Sequence, residues 1–153
     1  MINQLLHIKS VRAGKAHKMA QQQAHQVSRA SAALNKSEQA ASDYRKWREQ
    51  EEIRRFATAQ QGTVLLKDLD TLQQDIALLR EREIDLKQQV VEARMHLKHE
   101  KTVLEQKKKL AVLAHKTTER YVQLCQQKQT EKARNTQYQE ELDQEEFRTV
   151  AVM

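Results

Sequence analysis

Proline is absent from all 153 residues, and the chain holds only two glycines, Gly14 and Gly62, and one cysteine. A packed sheet needs turns every few residues, and turns draw on clusters of Gly, Pro, Asn and Asp. Those clusters are missing, so a sheet protein is excluded. A phosphate-cradling loop needs several glycines in a fixed pattern, and neither glycine has the required neighbours. A lone cysteine, Cys125, forms no internal disulfide, which fits a reduced, cytosolic setting. No apolar run reaches the roughly 18 residues that would span a membrane. The start MINQLLHIKS lacks the apolar stretch of a signal peptide. The first eighteen residues are basic, amphipathic and free of acids, like a mitochondrial presequence, but their helical pattern simply continues into the body of the chain. No Cys/His pair has zinc spacing. His96 and His99 stand three apart and read as solvated histidines on an exposed helix face. No active site is recognisable, and no cofactor is implied.

What remains is charge and helix formers. Charged residues make up 31% of the chain and aromatics only 4%, with a formal net charge of +6. Gln, Lys, Glu, Ala, Leu and Arg dominate, the composition of long helices and coiled coils. Disorder is the competing reading of so polar a chain, and periodicity argues against it. Steps of three and four from Leu69 meet Leu72, Ile76, Leu79, Glu83, Leu86, Val90, Ala93, Leu97, Glu100, Leu104, Lys107, Ala111, Ala114, Thr118, Tyr121 and Cys125. Thirteen of these seventeen positions are apolar, a heptad pattern without a register break. From Ile2 the same steps meet Leu6, Lys9, Ala13, Ala16, Ala20, Gln23, Val27, Ala30, Leu34, Ser37, Ala41 and Tyr44. Ten of these thirteen are apolar and five are alanine. A seam of alanines buries little area alone but lets a second helix approach closely. Cys125, on the Leu-rich seam, reads as a small buried apolar residue.

The two halves meet at Gly62, and glycine commonly stands just past a helix C-terminus. Thr63, Asp68 and Asp70 are candidate caps for a following helix, and Thr71 with Gln74 could form a capping box. A short connection favours antiparallel neighbours. The expected fold is therefore all-α: one coiled-coil hairpin over residues 1–153. Helix one spans about 2–60, the turn about 61–68 with room for a short helix, and helix two about 69–147. At about 1.5 Å per residue the helices would reach about 90 and about 120 Å, with Ile2 folded back near residue 125. A two-helix hairpin has little interior, and the roughly 1.5–3 kcal/mol for each buried Leu or Ile is nearly offset by the cost of ordering the chain. A marginally stable protein that a partner stabilises is the expectation.

Charge sign is segregated. Residues 1–37 carry Lys9, Arg12, Lys15, Lys18, Arg29 and Lys36 and no acid. In a hairpin they would lie beside Lys98, Lys101, Lys107, Lys108, Lys109 and Lys116. Glu140, Glu141, Asp143, Glu145 and Glu146 make an acidic tail. This suggests a partner with an acidic surface. Nucleic acid fits less well, because no stacking aromatics lie among the cations and the cations face several directions. Two apolar groups are left over: Ile2, Leu5, Leu6, Ile8 and Val11 near the start, which cover more than one face of the helix, and Trp47, Ile53, Phe56, Val64, Leu65 and Leu66 near the turn. The second group either closes the end of the core or marks an interface.

The segments DYRKWREQEEIRRF (43–56) and KDLDTLQQDIALLRERE (67–83), the tail QYQEELDQEEF (137–147) and the basic start HIKSVRAGKAHK resemble the YscO proteins of type III secretion systems. These proteins are similar to flagellar FliJ and, more distantly, to the central stalk of rotary ATP synthases. The resemblance implies a two-helix antiparallel coiled coil that hydrolyses nothing and lies at the cytoplasmic face of the export apparatus. It implies the hexameric export ATPase as a partner, the cytoplasmic domain of the export gate as another, and chaperones of secreted translocators as a third. By the stalk analogy the termini end enters the ATPase ring, with Ile2, Leu5, Leu6 and Ile8 as apolar contacts and Lys9, Arg12, Lys15 and Lys18 as polar ones. The start of helix two, Leu69, Leu72, Ile76 and Leu79, would meet the gate or a chaperone. These four also lie on the counted seam, and Leu65 and Leu66 are the alternative. Apart from the resemblance, a coiled-coil adaptor that dimerises in parallel and a basic nucleic-acid binder both remain compatible with the residues.

Overall fold

In a computed structural model that describes residues 1–62 and 66–152, the chain forms two helices, α1 (Ile2–Gln60) and α2 (Leu66–Val152). No strand occurs among the described residues. The helices pack side by side, and contacts across them run in opposite directions along the two sequences. They form a helical hairpin, as the heptads and single break require.

The chain divides into two compact units, to each of which both helices contribute. Unit 1 comprises Met1–Ala20 with Gln106–Met153, and unit 2 comprises Gln21–Glu105. In unit 1 the Thr118 hydroxyl donates to the Lys9 carbonyl at 3.1 Å, and the Cys125 Sγ lies 3.8 Å from the Asn3 Oδ1. Lys9 Nζ sits over the Tyr121 ring, 5.8 Å from its centroid. In unit 2 the Gln23 side chain donates to the Glu100 carbonyl at 3.0 Å and also meets the Glu100 carboxylate. The Tyr44 hydroxyl donates to the Leu79 carbonyl at 2.8 Å. Each pairing joins an earlier residue of α1 to a later one of α2, which is the antiparallel order.

Every seam position counted from Ile2 to Tyr44 is buried or half-buried, and so is every one counted on α2 except Leu69. The buried apolar residues are few and small for the chain's size: Ala20, Ala30, Ile76, Leu86 and Cys125. Two helices enclose a stripe, not a volume, so a seam residue keeps solvent on both flanks.

The turn departs from the expected chemistry. No glycine among the described residues has a positive φ, so Gly62 does not end α1 by a left-handed cap. Instead the Gln61 N–H donates to the Thr58 carbonyl at 3.3 Å, tightening the last turn. A Cβ added at Gly62 would meet nothing within 4 Å. Residues 66–68, expected in the turn, are instead the first residues of α2, where Asp68 supplies the negative charge that favours a helix N-terminus. Thr71 does not act as a cap: its hydroxyl donates to the Lys67 carbonyl one turn back, inside the helix. The candidate cap Thr63 lies outside the described residues, as do Val64 and Leu65. At its other end α2 continues to Val152, past the expected 147, because nothing in FRTVAV stops a helix.

Candidate partner-binding surfaces

A hairpin without an interior offers its partners surfaces, and the seam decides which residues remain on them. In unit 1 the seam takes Ile2, Leu6 and Lys9, which are half-buried against α2. Leu5, Ile8, Arg12, Lys15 and Lys18 are exposed. The eight residues expected to contact a ring are thus split. Five stand on the surface, and three support the hairpin from behind.

The candidates at the start of α2 are split the same way. Ile76 is buried and Leu72 and Leu79 are half-buried, all packed toward α1. Leu66 is 79% exposed and Leu69 44%. Leu65 lies outside the described residues. Trp47, Ile53 and Phe56 are exposed, so these three do not close the end of the core; Trp47 rests its ring 5.6 Å from that of Tyr44.

The apolar steps of the α1 seam end at Tyr44, yet the seam continues beyond it as charge. Arg48, Glu51, Glu52, Arg55 and Ala59 carry it toward the turn. Arg48 pairs with Glu83 across the helices and with Glu52 at 3.0 Å on its own helix. Arg80 reaches back to Glu52 at 3.1 Å, and Lys87 to Glu83 at 3.2 Å. Nearer the turn, Arg55 bridges Glu51 at 3.0 Å and Asp75 at 3.4 Å. The side chains of Arg48, Glu52 and Glu83 are only 9–12% exposed, so this is a charged layer inside the seam. The signal was present in the sequence: Glu83 breaks the apolar count on α2, and Arg48 is the cation that hairpin pairing sets opposite it.

The layer shifts the acidity of its own groups. Burial pushes the Glu83 carboxyl up, but hydrogen bonding to Lys87 and the nearby Arg48 charge outweigh it, and the net shift is downward. The Arg80 hydrogen bond, with help from Arg48, holds Glu52 below the usual carboxylate range. Hydrogen bonds from Arg54 and then Arg55 bring Glu51 down to about 2 from the ordinary 4.5. Burial lowers the Arg48 guanidinium, and Glu52 and Glu83 more than restore it. A carboxyl with a folded-state pKa below its unfolded one adds stability above the unfolded value and loses it as pH falls through the folded one. Melting followed by circular dichroism should therefore stay nearly level from pH 7 to about 4.5. It should then fall toward about pH 2 as these acids protonate. A melting midpoint that is unchanged or rises over that interval contradicts the charged layer.

Among the described residues no group of three His, Cys, Asp or Glu side chains could hold a metal ion. His96 lies 4.0 Å from Glu100, and His115 lies 3.0 Å from Glu119. No helix among the described residues is long and apolar enough to cross a membrane.

The family model described as type III secretion protein YscO matches residues 2–150. The crystal structure of the type III secretion protein YscO from Vibrio parahaemolyticus is similar in fold and sequence. It is 54% identical, with a TM-score of 0.89, over 96% of this chain and 92% of that one. No curated protein matches.

Proposed function

The chain belongs to the YscO family of type III secretion proteins, and from that premise we propose that it is a non-catalytic stalk of the export apparatus, working at its cytoplasmic face. The termini end engages the hexameric export ATPase, and the turn end reaches the export gate or a translocator chaperone. The whole chain acts as one hairpin, each end presenting a different surface. The observation that carries this reading is the division of labour in unit 1. Ile2, Leu6 and Lys9 hold α1 to α2, while Leu5 and Ile8 stand exposed on α1 beside Arg12, Lys15 and Lys18. A monomer gains nothing from exposed leucine and isoleucine bordered by cations, whereas an acidic partner surface with apolar pockets does. At the other end Leu66 and Leu69 are, of the candidates at the start of α2, the two that stay exposed, and they are the ones assigned to the gate or chaperone. Ile76, Leu72 and Leu79 keep their places in the seam behind them.

Leu5→Asp combined with Ile8→Asp tests the ring end without touching the seam. Binding to the cognate ATPase, measured by calorimetry or pull-down, should weaken at least tenfold, the scale set by losing two apolar contacts at about 1.4 kcal/mol per decade. Circular dichroism should stay that of the parent. Unweakened binding by a folded variant removes the assignment.

A further inference from the structure

Unit 1 leaves one flank of its helix pair uncovered. Counted at about 100° per residue from the seam, Leu5, Ile8 and Met19 fall to one side of α1, and Leu110, Leu113 and Leu124 fall to one side of α2. Because the helices are antiparallel, these two sides adjoin and form one face. All six side chains are 43–60% exposed. Cations border the face, Arg12 and Lys15 along α1 and Arg120 along α2, all exposed. The opposite flank is different in kind: a shallow groove lined by Ala13, His17, Ala111 and His115.

The same unit carries a helical segment with nothing beside it. Every described residue of α2 from Gln126 to Val152 is exposed. Its charges change sign along its length. Lys128, Lys132 and Arg134 come first, with one acid, Glu131, among them, and residues 137–147 then hold Glu140, Glu141, Asp143, Glu145 and Glu146 with no cation. Tyr138 and Leu142, four residues apart and both exposed, give this acidic stretch an apolar edge.

We propose that the chain self-associates as an antiparallel dimer in which the acidic C-terminal helix of each copy lies on the apolar, cation-bordered face of the other. Charge selects the occupant where Arg12 and Lys15 border the face, since the unaccompanied helix of a second copy supplies carboxylates there; Arg120 lies level with Arg134 of that copy and takes no part in the match. The dimensions agree. A two-fold axis near Gln127 lays residues 129–148 of each copy along residues 106–125 of the other, which is the α2 stretch of unit 1 that α1 accompanies. This sets Glu140, Glu141 and Asp143 beside the part of α2 that faces Arg12 and Lys15. The contact is isologous, so two copies close the assembly and no filament follows. Each helix pair becomes a three-helix bundle, and Leu110, Leu113, Leu5 and Ile8 lose water together. The inference needs only the chain itself, and its test contains no ATPase; because both occupants use Leu5, Ile8, Arg12 and Lys15, the dimer and the ATPase take this surface in turn.

The test is the mass of the full chain by sedimentation equilibrium over a wide concentration range, in about 50 mM and about 500 mM salt. At low salt the mass should approach twice the 17.9 kDa of the monomer, and high salt should return it to the monomer. The chain with R12E and K15E should be monomeric at low salt, and so should the chain with E140K, E141K and D143K. An equimolar mixture of the two should recover the dimer, because each mismatched contact becomes matched. All five positions are exposed, and far-ultraviolet circular dichroism confirms that each variant stays helical. A parent that is monomeric throughout overturns the proposal. So does a reversed chain that dimerises as the parent does, or a mixture that does not re-associate.

Discussion

An Arg48→Ala chain is expected to melt roughly 4–8 °C below the parent, the shift that about 2 kcal/mol produces in a protein of this size. The substitution shortens one side chain but leaves three carboxylates in difficulty. Glu83 loses its cross-helix partner and keeps only Lys87. Glu52 loses the 3.0 Å bond on its own helix and keeps only Arg80. Glu49 loses a weaker neighbour at 4.0 Å. Removing one member of a buried ion pair costs about 3–5 kcal/mol in a deep interior. The seam here is two helices wide, with water on either flank, so the expected cost is smaller. The deletion also leaves a gap where the guanidinium stem packed.

A companion substitution separates charge from packing. Arg48→Met together with Glu83→Leu removes both charges and keeps the volume, and replacing a buried pair this way is often neutral or stabilising. The double variant should therefore melt at or above the parent while the single variant melts below it. If Arg48→Ala is neutral as well, the layer is a solvated surface pair, and the buried reading fails. If both variants fall alike, the charges themselves stabilise the hairpin in this place. The layer would then resemble the polar positions of other coiled coils, which fix register at a cost in stability.

The same layer shows how far this fold could be read from the residues. The heptad count identified the seam position by position, because a stripe three or four residues apart has only one face on a helix. Its polar exceptions were the harder part. Glu83, Glu100 and Thr118 interrupt the apolar stripe of α2, and each is answered from α1, by Arg48, by Gln23 and by the Lys9 carbonyl. Pairing of this kind is non-local, so one helix read alone shows a flaw where two read together show a match. The charged continuation past Tyr44 was missed for that reason: Arg48, Glu52 and Arg55 look like solvent residues to any apolar count. The break at Gly62 was legible as a break, but not its geometry. The backbone there uses no conformation that demands glycine. The surfaces were legible in part. Periodicity separates Leu5 and Ile8 from Ile2 and Leu6, yet only the packed hairpin shows that Ile76 is buried while Leu66 and Leu69 remain available.

Asn3→Cys gives the largest stabilisation expected of any single change. Asn3 Oδ1 lies 3.8 Å from the Cys125 Sγ in unit 1, so a thiol at position 3 starts within reach of the one already present. The first residues of α1 have only the 3.1 Å bond from the Leu5 N–H to the Met1 carbonyl ahead of them, and a helix end can adjust to meet disulfide geometry. The bond would close a loop of roughly 120 residues, for which the chain-entropy account gives about 4–5 kcal/mol, less any strain. In dilute solution under oxidising conditions, the variant should become a monomer with no free thiol that runs ahead of its reduced form on a denaturing gel. It should melt roughly 8–15 °C above the reduced form. The parent, with Cys125 alone, should show neither change. Dilution matters, because a second copy would bring its own thiol, and only an intramolecular bond reports on one hairpin. If the two thiols stay free, or if they join only between molecules, the pairing of the start of α1 with residue 125 is wrong. The register of unit 1 would then shift with it, because one slip along a heptad moves the Lys9 carbonyl away from the Thr118 hydroxyl that answers it on α2.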